Sequence, residues 1–144
     1  MSRRDSLSHC QAGAVATEFA LIATLFTALV IAVIEFGRLA YVYTSAVEAT
    51  RLGARVAVVC SVGDVDTVKG KMTAILPLLR ASNISITYPA AGCSAAACDP
   101  VTVSIQGLTF RAVIPLVPLD FPIPAYTTSL PAESLDSTDN ELCD

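Results

Sequence analysis

An uncharged apolar run near the N-terminus constrains this chain most: residues 19–34 read FALIATLFTALVIAVI. These residues would span about 24 Å as an α-helix, and counting from Ala14 gives about 31 Å, close to the ~30 Å hydrocarbon core of a bilayer. The apolar residues make up 53% of the chain and the charged residues 15%, a composition that excludes a disordered chain. One membrane-spanning helix is therefore expected over residues 14–34.

The residues on either side of the run predict its orientation. The charged residues before position 14 are two bases and one acid, Arg3, Arg4 and Asp5. The positive-inside tendency then places the N-terminus in the cytoplasm and everything after Glu35 outside it. A secretory signal peptide begins in the same way, but its small-residue cut site follows the apolar run. Here VIEFGRLAYVY stands at the far end, and the small residues lie before the run, which favours a retained anchor.

Small side chains recur at every fourth position of the run, at Ala16, Ala20, Thr24, Ala28 and Ala32. Such a stripe lets another helix approach closely, and in lipid this close packing replaces the hydrophobic drive for association. We therefore expect the helix to pack against partner helices. The alternative is that alanine is simply common in membrane helices.

Glu18 is the only ionisable residue between positions 14 and 34. A charge in a spanning segment is unfavourable and by default functional, so a cationic partner is expected. A cut after Gly13 would give Ala14 a new α-amine with a reference pKa of roughly 8. That amine would lie one helical turn from Glu18, at a helix N-terminus that also favours a carboxylate. The alternative is an interfacial glutamate at the level of the lipid head groups.

The segment from residue 13 to residue 55 combines several motifs: a basic leader precedes it, Gly13 stands before the expected cut, Glu18 and Phe19 follow the cut, EFGR closes the apolar run, and GAR ends the segment. In these motifs it resembles the TadE-like family of pseudopilins, which are minor components of the tight-adherence (Tad) pilus system and relatives of type IV pilins. Family members often carry a proline early in the apolar run, where this chain has Ala23 and Thr24. The helix is therefore expected to be straighter than in those relatives.

The resemblance implies a maturation step and an assembly role. A prepilin peptidase, which is an aspartic protease of the membrane, would remove residues 1–13 by cutting between Gly13 and Ala14. Glu18 and Phe19 would then occupy the positions that help pilin-like subunits to be recognised and assembled.

The helical period continues beyond the apolar run and predicts an amphipathic extension of the same helix over residues 35–60. Two pairs with i,i+3 spacing, Glu35 with Arg38 and Glu48 with Arg51, are expected on its solvated face. The residues expected on the packed side are Phe36, Leu39, Tyr43, Ala46, Val47, Thr50 and Ala54.

Patterns of a small mixed domain follow the long helix. Asp64 and Asp66 are N-cap candidates for a second helix, which Pro77 should end. The segments ISITY at 84–88 and VTVSI at 101–105 alternate with period two and are rich in β-branched residues. They are expected to form an antiparallel hairpin.

The remaining segments complete a predicted α+β fold, in which residues 61–130 form a small outer domain beyond the pilin-like helix. Four prolines in residues 112–126 exclude a helix interior or a central strand there. We expect this segment to wrap the domain in extended form. The acidic tail, residues 131–144, is expected to be mobile unless its cysteine fixes it.

The cysteines agree with an outer domain outside the cytoplasm. Cys10 lies in the expected leader, so maturation would leave Cys60, Cys93, Cys98 and Cys143. Four cysteines allow three connectivities, and Cys93 and Cys98 are close enough in sequence to bridge. That choice leaves Cys60 with Cys143, a bridge that would tie the tail to the long helix and contribute about 4 kcal/mol in the loop-entropy treatment. The alternatives are free thiols or a zinc site, although the usual Cys-x2-Cys spacing is absent.

Several chemistries are disfavoured. The net charge is −4, and residues 112–144 contain six acids and no base, so a nucleic-acid partner is not expected. The single histidine, His9, lies in the expected leader, which leaves no Ser-His-Asp or Cys-His arrangement. No phosphate loop or metal-ligand spacing is present. We therefore expect no enzyme activity, no cofactor, no metal and no small-molecule substrate.

Together these features predict a pilin-like structural subunit of the bacterial inner membrane that takes part in assembling a Tad-type pilus for surface adhesion. Its expected partners are the membrane, the prepilin peptidase, other pilin or pseudopilin subunits and the pilus assembly machinery. The alternative is an uncleaved single-pass protein whose periplasmic domain captures a ligand or an envelope partner.

Overall fold

The computed structural model describes residues 4–88, 100–114 and 118–143, with side chains described from residue 13 onward. The chain divides into two compact units, Met1–Arg38 and Leu39–Asp144. We describe each unit by itself.

A single helix, α1, extends over Arg4–Val59 and contributes to both units. The chain contains no proline before Pro77, so every residue of α1 has a backbone N–H donor. Alanine and leucine, which are strong helix formers, recur throughout it. The predicted continuity of the anchoring and amphipathic halves is therefore found.

A short second helix, α2, covers Val65–Ile75 in the outer unit. Asp64 lies at its N-cap position, as expected, but its side chain makes no capping hydrogen bond. The helix ends because Leu76 adopts an extended conformation, with φ −127° and ψ 93°. This is the conformation that a residue before proline prefers, and Pro77 follows.

Within the described part of the chain, five strands form two antiparallel sheets. The larger sheet has the order β1-β2-β5, with Ile84 opposite Ile105 and Val103 opposite Thr128. The predicted hairpin of β1 and β2 is therefore present. The smaller sheet pairs β3 with β4. The strands are β1 Ile84–Thr87, β2 Val101–Ile105, β3 Thr109–Arg111, β4 Asp120–Pro122 and β5 Tyr126–Leu130.

The proline-rich segment contributes more regular structure than an extended wrap. It supplies β4, which lies at the edge of a two-stranded sheet, where the missing N–H of Pro122 is tolerated. It then leads into β5, a strand that the sequence analysis did not predict. The strand β2 is consequently the central strand of a three-stranded sheet, with buried Val101, Val103 and Ile105.

A turn that is fixed by Asn83 and Gly107 connects the two sheets. The Asn83 side-chain amide donates hydrogen bonds to the carbonyl oxygens of Gln106 and Gly107, at 3.0 and 3.1 Å. Gly107 has a φ of +66°, a backbone conformation that glycine adopts without a steric penalty. The glycine at this exit from β2 is therefore required by the turn.

The core of the outer unit lies between the second half of α1, α2 and the larger sheet. Three residues of the expected packed side, Ala46, Thr50 and Ala54, are fully or almost fully buried. Phe36 is not, since 73% of its surface is exposed. The fold class is confirmed: the protein is α+β, with a long N-terminal helix, a small helix and antiparallel strands.

Candidate membrane anchor and assembly surface

The first half of α1 presents large apolar side chains outward on all sides. Phe19 is 72% exposed, Leu25 71% and Phe26 65%. Soluble monomers rarely expose so much contiguous apolar surface. By length and composition, α1 is also the one helix in the described part of the chain that could span a membrane. This half of the helix therefore requires lipid or other helices around it.

Threonine hydroxyl groups in this segment are satisfied within the helix. Each donates a hydrogen bond to a backbone carbonyl three or four residues earlier, a geometry that lets a hydroxyl group lie in lipid without a water partner. The bonds run from Thr17 to Ala14 at 2.8 Å, from Thr24 to Ala20 at 2.7 Å and from Thr27 to Ala23 at 2.8 Å.

The small residues of the predicted stripe all lie on the surface, and part of the stripe borders a shallow depression. Ala16, Ala20, Thr24, Ala28 and Ala32 are exposed. The depression has a volume of about 430 Å³ and is lined by Ala23, Thr24, Thr27, Ala28 and Ile31. Two stripe residues, Thr24 and Ala28, therefore line the depression.

The residues expected to act in processing and assembly lie together on one stretch of α1. Gly13, Ala14, Glu18 and Phe19 are all exposed. A side chain at position 13 would meet no other atom within 4 Å. Glu18 makes no hydrogen bond and no ion pair with another described side chain. The described residues therefore leave the expected cationic partner of Glu18 to be supplied by another group.

The predicted i,i+3 pairs are both formed on α1. Nη1 of Arg38 donates to the two carboxylate oxygens of Glu35, at 2.7 and 2.8 Å. The pair between Arg51 and Glu48 is looser, at 4.0 Å, and both side chains are about two-thirds exposed. Exposed pairs of this kind contribute little to stability.

A shallow groove in the outer unit lies between α1 and the start of β5. Its volume is about 400 Å³, and Tyr43 and Tyr126 meet within it edge to face, with ring centroids 6.2 Å apart. Burial, and to a lesser degree the neighbouring Tyr43, raises the pKa of Tyr126. The other lining residues are Thr44, Val47, Glu48 and Arg51.

The expected disulfide between Cys60 and Cys143 is present and joins residues 83 positions apart. Both cysteines are buried. The bond attaches the acidic tail to the end of α1, so the tail is held by its cysteine. The other expected pair, Cys93 with Cys98, lies outside the described residues.

Hydroxyl and carboxyl groups cluster beside this disulfide. The Ser137 hydroxyl donates a hydrogen bond to the Asp64 carboxylate, which makes no capping bond to α2. The Tyr88 hydroxyl is buried and has no hydrogen-bond partner within the described part of the chain. Burial raises the pKa of Tyr88, and the Asp64 carboxylate raises it further.

Nothing among the described residues forms a metal centre, because no three His, Cys, Asp or Glu side chains lie close enough together to hold an ion. Two features that the sequence analysis missed are structural. One is the hydrogen bonding between the tail and the end of α1. The other is Gly53, over which Met72 of α2 packs. The glycine at position 53, on the packed side of the predicted helix, was the sequence signal that could have indicated this close packing.

The fold and the anchor define the class: a small α+β domain that is carried by a long helix with an apolar, unburied N-terminal half. Residues 13–55 match the family model described as TadE-like protein. The resemblance predicted from the sequence is thus confirmed for this segment, and it relates the chain to proteins of the Tad pilus with a membrane-anchoring N-terminal helix. No curated protein and no solved structure is detectably similar to the chain.

Proposed function

We propose that this chain is a pseudopilin, a minor structural subunit that takes part in assembling a Tad-type pilus for surface adhesion, and that it is not an enzyme. One observation carries the proposal: the N-terminal half of α1 exposes a continuous apolar surface in the very segment that matches the TadE-like family. A surface of this kind fits a subunit that is held first by the membrane and then by neighbouring helices.

Maturation by a prepilin peptidase between Gly13 and Ala14 is part of this proposal. The family match begins at Gly13, and both Gly13 and Ala14 are exposed. The cut would create an α-amine on Ala14, one helical turn before Glu18. An ammonium group there would stabilise the carboxylate that otherwise lies without a partner in the described structure.

The proposed location is the bacterial inner membrane, with a single span over residues 14–34, the N-terminus in the cytoplasm and the outer domain in the periplasm. The disulfide between Cys60 and Cys143 supports an oxidising compartment for the outer domain. Proposed partners are the lipid bilayer, the peptidase, other pilin or pseudopilin subunits and the assembly machinery. We propose no nucleic-acid partner and no small-molecule substrate.

Packing of the helix against other subunits is proposed to use its small-residue face. The depression beside Thr24 and Ala28 would admit a ridge of side chains from another helix. Because lipid tails are as apolar as leucine, van der Waals fit rather than hydrophobic burial would drive this contact.

The maturation step is tested by replacing Gly13 with phenylalanine and determining the N-terminus by mass spectrometry in cells that contain the peptidase. The wild-type chain should begin at Ala14, and the Gly13→Phe chain should keep its leader. Gly37→Phe is the matched control, since a side chain at position 37 on the same helix also meets no atom within 4 Å. A wild-type chain that begins at Met1 would favour an uncleaved membrane tether over a pseudopilin.

A further inference from the structure

The C-terminal strap, residues 131–143, covers the end of α1. The last four carbonyl groups of any helix lack intrahelical partners, and here the strap supplies donors for two of them. Two strap amides donate to Val58 O, and one amide and one hydroxyl donate to Val59 O. These bonds come from the amides of Glu133 at 3.1 Å and Leu135 at 3.4 Å to Val58, and from the amide of Asp136 at 2.9 Å and the hydroxyl of Ser134 at 3.0 Å to Val59.

Two further links hold the strap just beyond the helix. Ser61 and Ser137 bond reciprocally: the Ser61 amide donates to the Ser137 hydroxyl oxygen at 2.8 Å, and the Ser137 amide donates to the Ser61 hydroxyl oxygen at 3.1 Å. The covalent link is the disulfide between Cys60 and Cys143. It closes the far end of the strap onto the residue that follows α1.

Glu133 and Asp136 lie at an end of α1 that is unfavourable for acids, although hydrogen bonds from Thr138 stabilise the Asp136 carboxylate locally. A helix C-terminus is the negative end of the helix dipole, where acidic groups are unfavourable. The strap contains four acids and no base: Glu133, Asp136, Asp139 and Glu141. None of the three ion pairs found in the described residues involves any of them.

The strap also contributes little to the core. Cys143 is its one residue in the buried cluster, and four others, among them Ala132 and Leu135, reach no more than partial burial. Apart from Cys60, the fully buried residues lie on α1, α2 and the larger sheet, as Met72, Val101 and Val103 do. Lifting the strap would therefore leave the centre of the domain packed.

We propose that the strap is a redox-controlled latch on the end of α1. With the disulfide formed, the strap is closed. With the disulfide reduced, the strap detaches locally while α2 and the larger sheet stay folded. This inference rests on the outer unit alone and does not depend on the proposed role in a pilus.

The electron balance of the switch is that of thiol–disulfide exchange. On opening, the bond between the sulfur atoms of Cys60 and Cys143 breaks, and each sulfur gains one electron and one proton. A dithiol reductant supplies both electrons and both protons as it closes to its own disulfide. Closing runs in reverse, with a disulfide oxidant accepting two electrons. The latch is thus open in a reducing compartment and closed in an oxidising one.

Hydrogen exchange of the full-length protein in detergent micelles tests the latch, by comparing the oxidised wild type with the Cys60→Ala/Cys143→Ala variant. We expect the amides of the strap and of Ser61 to lose roughly tenfold or more of their protection, while those of β2 keep theirs. The same result is expected for the wild type after reduction by dithiothreitol. Cys93→Ala/Cys98→Ala is the matched control and should leave the strap protected.

Two outcomes would overturn the proposal. If the strap amides keep their protection without the disulfide, the bond does not control the strap. If the β2 amides lose protection together with the strap, the disulfide is a staple of the whole domain and no local latch exists.

The opposing charge is tested in the disulfide-free background. Glu133→Gln/Glu141→Gln should restore a measurable part of the strap protection, because the neutral side chains no longer oppose the helix dipole. Glu48→Gln, on the exposed side of α1 and outside the strap, is the control and should restore none. Equal protection in all three proteins would contradict electrostatic opening.

Discussion

Met72 of α2 packs directly over Gly53 of α1, so closely that a Cβ atom at position 53 would lie 2.9 Å from Met72 Cγ and nearer still to its sulfur. Both residues are buried. The absence of a side chain at Gly53 thus sets the distance between the two helices of the outer domain.

Gly53→Ala should destabilise the outer domain by about 1–2 kcal/mol, because overpacking exceeds the gain in helix propensity of about 0.5–1 kcal/mol. Gly70→Ala is the matched control, since a Cβ there meets nothing within 4 Å. It should stabilise the protein by about 0.5–1 kcal/mol. Denaturant unfolding followed by circular dichroism measures both. If both variants changed the free energy of unfolding by the same amount in the same direction, close packing at Gly53 would be refuted.

The parts of the fold that depend on local pattern were predictable. The uncharged run and the helical period predicted α1, and β-branched alternation predicted the hairpin of β1 and β2. The bounds of α2 followed from Asp64 and Pro77. These signals depend on residues near one another in the sequence, so a single sequence was sufficient to find them.

The parts that depend on distant contacts were not predictable. The segment of β5 becomes a strand by pairing with β2, some 25 residues earlier, and its own short pattern is ambiguous. The strap binds α1 mainly through backbone amides, which every residue but proline has. Serine hydroxyl groups such as that of Ser134 take part as well, but serine is too common in loops to signal this contact. For Glu18, the expected partner is a group that only cleavage or another subunit would supply.

The Tyr88 hydroxyl provides a second test of the outer domain. A buried hydroxyl without a partner costs about 1–3 kcal/mol of desolvation, and this one has no partner among the described residues. Tyr88→Phe should therefore raise the free energy of unfolding by up to about 1 kcal/mol. Tyr41→Phe, at a side chain that is 61% exposed, should change it by less than about 0.5 kcal/mol.

The same residue should govern part of the response to alkali. Burial, with the Asp64 carboxylate second, raises the pKa of Tyr88 above its ordinary 10.0. The unfolded chain therefore ionises first, and the contribution of the neutral phenol to stability is complete below pH 10 and is lost as the pH rises through the raised pKa. The free energy of unfolding, measured from pH 9 to 11, should fall less steeply with pH in Tyr88→Phe than in the wild type. Equal slopes in the two proteins would exclude ionisation of Tyr88 as a cause of the loss of stability in alkali.

Asp136 should make the strap sensitive to acid. The Thr138 hydroxyl, at 2.7 Å, and then the Thr138 amide, at 3.0 Å, donate to its carboxylate and lower its pKa from 3.8. The stabilisation is complete above the unfolded value and is lost as the pH falls through the lowered pKa. Thr138→Val should raise the pKa of Asp136 partway towards 3.8, as measured by a carbon-detected NMR titration. An unchanged pKa would show that the hydrogen bond from the Thr138 hydroxyl is not the main cause of the lowered pKa of Asp136.

The small-residue face of the anchor should control helix association. Ala28→Leu would fill the depression and weaken association between labelled copies in lipid vesicles by about tenfold, in the range that interhelical packing contributes. Val33→Leu adds a methylene group to a residue outside the depression and should leave association unchanged. Energy transfer between donor- and acceptor-labelled chains measures both. A similar loss in both variants would indicate a general effect of bulk.

Glu18 should be needed for assembly and not for insertion. Replacing it with alanine removes the one charge in the span, so Glu18→Ala should insert at least as well as the wild type. Without a carboxylate for the proposed Ala14 amine, however, the chain should be missing from sheared surface filaments and stay in the membrane fraction. Glu18→Asp, which keeps the charge, should recover part of the assembly.

Thr44→Val is the control for Glu18, because Thr44 lies on α1 beyond the span and its hydroxyl bonds, among the described residues, to its own helix, at Ala40 O and Tyr41 O. Removal of this hydroxyl should leave assembly intact. The N-terminus of each variant, determined by mass spectrometry, separates a defect in cleavage from a defect in assembly. A Glu18→Ala chain that is cut normally but absent from filaments is the expected result. Wild-type amounts of this variant in filaments would mean that the carboxylate has no part in assembly, and the protein would then act as a plain tether.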